Sequence, residues 1–496
     1  MSERHTVMKT AIFSGGLLVQ QIMVFLTGVL IARSLGAVDF GILGTLRSLT
    51  AFLLIVTPLG LDLSLLKHAA FYEDRPGELR LLFLTLRGLV WAINLALIII
   101  VAIWIGPWLQ DDIYKIDHFS YYCIISMLGL AFAADIQVYG ALYRVADRIT
   151  TYAILVNYSQ PVVRLLLTFL ALALGGGIIS VMVVNSGMFA ATSLAVSYAG
   201  RIAGPRPATT MRELRSRVSH ILSESIWMAL TLLVGQTMRF VDVIMLAAFT
   251  SPQVTAAYVA MSSVAQLIQI YPSAIAQTMG PLVARLYVIG DKTGIVLALR
   301  SYLRKASLLG GYLFAGVAVF GSQLDLVFGH AFHFSWLLSL LLAIGWYISA
   351  ILGPFGYMLS MTGLHRREFA ILSFGAILLV VCLYVLIPWL GDVGAALSVA
   401  VAFFMVNLIR TLVVIRILTV SPLRIRDLLP PICFTALALS TMTVGASFGR
   451  NLILLVAECV GYTILAAVSY LMMFATREEK TWLSRPGMTV MTRTEA

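Results

Sequence analysis

An all-α integral membrane protein of about fourteen transmembrane helices is predicted by three features of the sequence: 60% hydrophobic and only 11% charged residues, a series of apolar runs of membrane-crossing length, and lysines and arginines gathered in alternate connections. Soluble domains carry ~25% charged residues. This chain cannot dress itself for water, and lipid must solvate it. Its formal net charge of +11 would suit nucleic acid if the basic residues clustered on a soluble face, but they are dispersed in short segments between apolar runs, which is a topology signal and excludes nucleic acid as a partner.

A helix crossing a ~30 Å hydrocarbon core needs ~20 mostly apolar residues. On that ruler six spans fall near 10–32, 42–66, 81–106, 119–142, 153–173 and 178–199, and after the basic segment Arg201 to His220 eight more fall near 223–249, 254–283, 304–322, 337–361, 369–390, 394–418, 430–448 and 452–475. With the N-terminus inside, and with Arg304, Lys305 and Arg416 at the cytoplasmic ends of their spans counted there, 26 of the 34 lysines and arginines lie on the cytoplasmic side, 3 outside (Arg33, Lys115, Arg450) and 5 deeper within spans. That bias predicts both termini in the cytoplasm of a multi-pass cell-membrane protein. Lys9 before the first apolar stretch resembles a signal-peptide start, but the chain goes on spanning, so the stretch reads as a retained helix.

Many transporters consist of two six-helix halves. Sliding the sequence by 216 residues sets Gln20 on Gln236 and Ile42 on Tyr258, and lays the outside loop Ser34 to Gly41 on Thr250 to Ala257. This weak repeat predicts an N-terminal six-helix lobe (1–200), a basic cytoplasmic linker (201–222), a C-terminal six-helix lobe (223–418) and two additional helices with a cytoplasmic tail (419–496). The connections are too short for a soluble domain, so function must reside in the bundle.

A charge at mid-depth costs ~2.5 to 3.5 kcal/mol on insertion scales and therefore faces protein or a water-filled cavity. Span 8 carries Ser262, Gln266, Gln269, Ser273 and Gln277 on one helical face, span 7 Glu224, Thr231, Gly235, Arg239 and Asp242, and span 5 Asn157, Gln160, Arg164 and Thr168 beside Pro161. Arg47, Thr50 and Thr57 on span 2 and Ser14, Gln21 and Gly28 on span 1 complete a set that would line a central cavity between the lobes. The alternative is that each stripe is helix–helix glue. Arg239 and Asp242 are spaced to neutralise each other, and Arg47, Arg87 and Arg410 lie near enough to span ends to snorkel. Arg164 sits near mid-span with no acid one turn away. Guanidinium forks pair with phosphate or carboxylate, so an anionic substrate is the natural inference. Asp62, Asp135, Glu224 and Asp242 are the acids available for ion coupling, with Asp62 and Glu224 near cytoplasmic ends.

Trp104, Trp108, Trp336 and Trp389 read as interface anchors. The segments Met211 to His220 and Arg300 to Lys305 mix basic and apolar residues in a pattern suited to anionic headgroups. The cysteines Cys123, Cys382, Cys433 and Cys459 fall in apolar runs without metal-ligand spacing. No nucleophile elbow, zinc-protease helix, phosphate-binding loop or DxD-like acidic pair is present, so no enzyme, metal or cofactor is predicted.

The opening, with Lys9, Gly15, Gln20 and Gln21 followed by Ile31-Ala32-Arg33-Ser34-Leu35-Gly36-Ala37-Val38-Asp39-Phe40-Gly41, resembles the start of polysaccharide biosynthesis proteins, the Wzx-type oligosaccharide flippases of the multidrug/oligosaccharidyl-lipid/polysaccharide (MOP) exporter superfamily. Arg239 to Tyr258 is similar to that family's second half. The resemblance implies a V-shaped bundle whose cavity alternates between the two membrane faces. The cargo it implies is an undecaprenyl-pyrophosphate-linked oligosaccharide, an O-antigen or exopolysaccharide repeat unit. Arg47, Arg164 and Arg239 are then the candidates for the anion, Gln266, Gln269 and Gln277 for the sugars, and Asp135 and Asp242 for ion coupling, placed by helical face and depth. The implied partners are the lipid-linked substrate, membrane lipids and polysaccharide polymerase or assembly proteins, with a monomer as the default. An ion-coupled multidrug exporter of the same superfamily is the alternative; it would need a cavity of unpaired carboxylates and aromatics.

Overall fold

The computed structural model describes residues 3–58, 60, 76–200, 211–269, 279, 282–283, 285–424, 426, 429–445 and 451–474, with the side chains of 211–228 and a few others left aside. Asp62, Ser273 and Gln277, the linker at 201–210, and the side chains of Ser14, Glu224 and Thr231 lie outside the described residues.

Every described apolar run is helical. Helix α1, Glu3–Val56, breaks at Gly36, whose φ of 83° is open to glycine at no steric cost, and so forms two arms, 3–35 and 37–56. Helix α2 (76–114), α3 (Phe119–Val145), α4 (149–173) and α5 (Ile178–Ala199) complete the N-terminal bundle. Helix α6 (Met211–Phe249), α7 (Pro252–Ala265, tightening to a 3₁₀ turn at Gln266–Gln269), α8 (Lys292–Phe320), the short α9 (Asp325–Phe328), α10 (Trp336–Met361) and α11 (His365–Leu418) form the second bundle. Helix α11 breaks at Gly391, φ 59°, into two arms. Helices α12 (Leu429–Gly445) and α13 (Leu452–Ser469) are appended. Ten stretches are long and apolar enough to span a bilayer. Two of them divide at a glycine and two shorter helices join them, which gives fourteen segments among the described residues and makes the chain a multi-pass membrane protein.

The buried apolar residues gather accordingly. One cluster, around Leu86, Tyr139 and Val196, lies within the N-terminal helices, and a second, around Phe119 and Leu130, also takes in Ala247 of α6. A larger one joins α6, α7, α8, α10 and α11 and takes in Ala32, Ala37 and Phe40 from the α1 break. Tyr312, Phe434 and Tyr462 tie α12 and α13 to α8, with Tyr312 and Tyr462 stacked at 5.0 Å.

The two bundles meet at one end. A side chain on Gly41 would overlap the Pro252 carbonyl, and one on Gly44 would stand 2.9 Å from Val259, so α1 and α7 approach backbone to backbone. Hydrogen bonds between the bundles also come from this end: Arg33 donates to the Val327 and Leu326 carbonyls, and Tyr114 to the Ile244 carbonyl. The 216-residue shift sets the segment Ser34 to Gly41 on Thr250 to Ala257, and Gly41 of the first lies against Pro252 of the second.

Among the departures from regular α-helix, one bears on the candidate site. Helix α4 starts as α-helix over Ile149–Tyr152, widens to a π-helix over Ala153–Ser159 and resumes at Gln160. Pro161 has no N–H to close an α-turn onto Asn157, and the winding relaxes just upstream of it. The widened turn packs on glycine: a Cβ on Gly16 would sit 2.7 Å from the Tyr158 ring, whose hydroxyl donates to the Ile12 carbonyl at 2.9 Å. Gly16→Leu is therefore expected to lower thermal stability by ~1–3 kcal/mol, whereas Gly88→Leu, with open space around it, should leave the melting temperature unchanged.

Candidate functional site

Depth places the arginines first. Arg47 lies eleven residues beyond Gly36, Arg239 eleven before Thr250 and Arg164 ten before Leu174. At 1.5 Å per residue each guanidinium starts roughly 15 Å below the end where the bundles meet, half-way through a ~30 Å core. The sequence reading put Arg47 near a span end because it began that span at residue 42. The arm begins at 37, and snorkelling is not available at this depth.

Arg47 and Arg239 are nevertheless exposed, as are Gln21 and Gln266, while Arg164 is half-buried. A guanidinium at mid-depth is costly in hydrocarbon, so these are the groups that water or a polar ligand between the bundles would have to solvate. Arg47 and Arg164 are brought together from α1 and α4, close enough for their charges to repel. Arg164 reaches the Asn185 amide oxygen on α5 at 3.4 Å, and its Nε is buried without an acceptor. Below it on the same face, Gln160 Nε2 and Asn157 Nδ2 are also buried and unpartnered. Sequence reasoning found the α4 stripe but missed Asn185, a lone amide in an apolar run.

Arg239 stands apart from this pair, on α6 with Tyr357 of α10 as its electrostatic neighbour. It does not neutralise Asp242. That carboxylate is buried and turned toward α7, where the Tyr258 hydroxyl donates to Oδ2 at 2.6 Å, leaving Oδ1 without a partner. No carboxylate among the described residues lies within ion-pair distance of Arg47, Arg164 or Arg239.

The other intramembrane arginines behave differently. Arg87 does not snorkel: it forks onto Asp135 through Nε at 2.6 Å and Nη2 at 3.1 Å, and Trp91 and Ser193 supply two further donors to that carboxylate. Asp135 is fully buried, with four hydrogen bonds joining α2, α3 and α5, so a coupling role for it would require this cluster to open. Arg410 likewise pairs with Glu368 through both nitrogens of its fork and touches Asn407. Arg410→Ala would leave a buried carboxylate uncompensated and is expected to cost ~3–5 kcal/mol in a thermal melt.

The glutamines divide. Gln266 is exposed and donates within its own helix to Ser262 at 3.2 Å. Gln269 instead donates to Ser349 on α10 at 2.6 Å, which is the geometry of helix–helix glue. Gln269→Ala should therefore change stability by about 1 kcal/mol and leave substrate handling intact, measured as transport at matched expression.

Two cations with no counter-ion among the described residues and three buried donors without acceptors have the chemistry that suits an acceptor-rich anion rather than a cation. Comparison with solved structures gives the same fold elsewhere. The inward-closed lipid II flippase MurJ is 14% identical, with a TM-score of 0.68 over 92% of this chain and 98% of that one. An inward-facing multidrug resistance MATE family transporter of the MOP superfamily is 13% identical, TM-score 0.66, over 81% and 94%. An outward-facing structure of a transporter of that family is 12% identical, TM-score 0.56, over 83% and 95%. These are transporters and flippases, not enzymes. A comparison with curated protein sequences finds no match. A family model of polysaccharide biosynthesis proteins, however, matches residues 7–287, more than half of the chain. The chain thus belongs to the polysaccharide biosynthesis protein family and has the fold of the MOP exporter superfamily.

Proposed function

We propose that the chain is a flippase that moves an undecaprenyl-pyrophosphate-linked oligosaccharide, an O-antigen or exopolysaccharide repeat unit, across the cytoplasmic (inner) membrane by alternating access. The observation that carries this reading is the Arg47–Arg164 pair, two mid-depth guanidiniums on one bundle with no carboxylate partner among the described residues. A diphosphate supplies the charge that this pair lacks, and the lipid tail need never leave the bilayer. In this reading residues 1–200 and 223–418 are the two moving lobes, 201–222 the linker between them, and 419–496 an addition to the second lobe. The basic segments face the cytoplasm with both termini, and the bundles meet at the outer face. Arg239, Gln266 and Gln277 would contact the glycan or its charge from the second lobe, and Asp242 is the acid placed for ion coupling. The polymerase and its assembly proteins would take the product, with the flippase acting as a monomer.

An ion-coupled drug exporter needs unpaired carboxylates to attract cations. Here Asp135 and Glu368 are consumed by arginines, and Asp242 is half-satisfied by Tyr258, which favours the anionic cargo. Complementation of a flippase-deficient bacterium separates the two. Restored outer-leaflet lipid-linked oligosaccharide is expected, without increased resistance to cationic dyes; dye resistance without restoration across several glycan backgrounds would transfer the assignment to the exporter.

A further inference from the structure

We infer that Arg33, inside the motif that carries the family resemblance, is the latch of the outer gate, a positioning residue that holds the lobes together rather than a substrate contact. The inference rests on the alternating-access reading. Arg33 closes the first arm of α1, and its fork crosses to the other bundle, Nε to the Val327 carbonyl at 2.7 Å and Nη2 to the Leu326 carbonyl at 2.6 Å. Both acceptors belong to α9, at a helix end that leaves carbonyls unpaired and favours a cation. No carboxylate among the described residues holds Arg33 in its own bundle.

The residues around it are built for contact between bundles. Phe40, across the Gly36 break, meets Phe328 at 6.2 Å and Phe332 at 5.7 Å, and Phe25 meets Phe328 at 6.0 Å. Gly41 abuts the Pro252 carbonyl. Arg33, Phe40 and Gly41 thus form one surface that reaches across to the second bundle. A shallow cleft of about 420 Å³ between Arg33, Gly36, Asp325 and His330 opens beside it, so water can reach the guanidinium when the contact breaks. Apolar packing closes the gate, and the fork fixes its register through two charge-assisted hydrogen bonds with no partner left in the N-terminal bundle once the lobes part.

The test uses the full chain in lipid, with nitroxide labels at the exposed Val38 and His333 on either side of the contact, in a background free of the native cysteines. Wild type should give one short distance. Gly41→Val, which forces α1 off Pro252, supplies the open reference. Arg33→Ala should raise the population at that longer distance by about tenfold or more, and Arg33→Lys, a point charge without a fork, should fall between. Because these distances need no substrate, a shift in a protein that fails to move lipid-linked oligosaccharide would leave the latch standing and remove the cargo assignment. A distribution for Arg33→Ala that coincides with wild type, whether or not Gly41→Val shifts, overturns the latch.

Discussion

Arg164→Ala is expected to abolish delivery of lipid-linked oligosaccharide while leaving the folded protein at wild-type abundance. The side chain makes one long hydrogen bond to Asn185 and no ion pair, so truncation removes little that holds helices together. Removing one member of a desolvated charge contact to the cargo costs ~2–5 kcal/mol, at least about thirtyfold in affinity. Arg47→Ala should behave alike, and the double variant should lose less than the sum, because each arginine relieves the other's repulsion when it is removed. Arg164→Lys keeps the charge without the fork and should recover only part of the activity. Outer-leaflet substrate measured at matched expression checks the series. If Arg47→Ala and Arg164→Ala both transport like wild type, the anion site is elsewhere.

Asp135→Ala is expected to fail in the opposite way, through folding. Asp135 is fully buried and satisfies Arg87, Trp91 and Ser193 at once, so its loss strands a guanidinium and two donors inside the N-terminal bundle. Breaking a buried pair in this manner costs ~3–5 kcal/mol, against a total stability of ~5–15 kcal/mol for a typical domain. A fall in melting temperature and in membrane abundance should follow. The variant Arg87→Met with Asp135→Leu, which removes both charges, should regain most of the loss, whereas a coupling role for Asp135 would leave that double variant stable but inactive.

How much of this is legible in the sequence follows from what sets each feature. Helix number follows from apolar run length, which the bilayer fixes, and the reversals at Gly36 and Thr250–Ser251 follow from turn residues and the charge pattern. The 216-residue shift sets Ser34 to Gly41 on Thr250 to Ala257, and Gly41 lies against Pro252. Side-chain partners were not legible. Arg87 and Asp135 are 48 residues apart, and Arg410 and Glu368 42, so spacing along one helix says nothing of either pair. Asp242 chose a tyrosine on the next helix over an arginine one turn away, since the tyrosine supplies a donor without a second buried charge. The Arg47–Arg164 pair needed the true start of the second arm and the π-turn upstream of Pro161, neither of which hydropathy encodes.

The cargo assignment is tested most directly with the purified protein in sealed proteoliposomes carrying an undecaprenyl-pyrophosphate-linked oligosaccharide in one leaflet, its arrival in the other read by an impermeant glycan-trimming enzyme. Wild type should make the glycan accessible within the assay, and Arg164→Ala should track protein-free vesicles. Accessibility no faster than in empty vesicles, in a preparation that does accumulate cationic dye, would contradict the account.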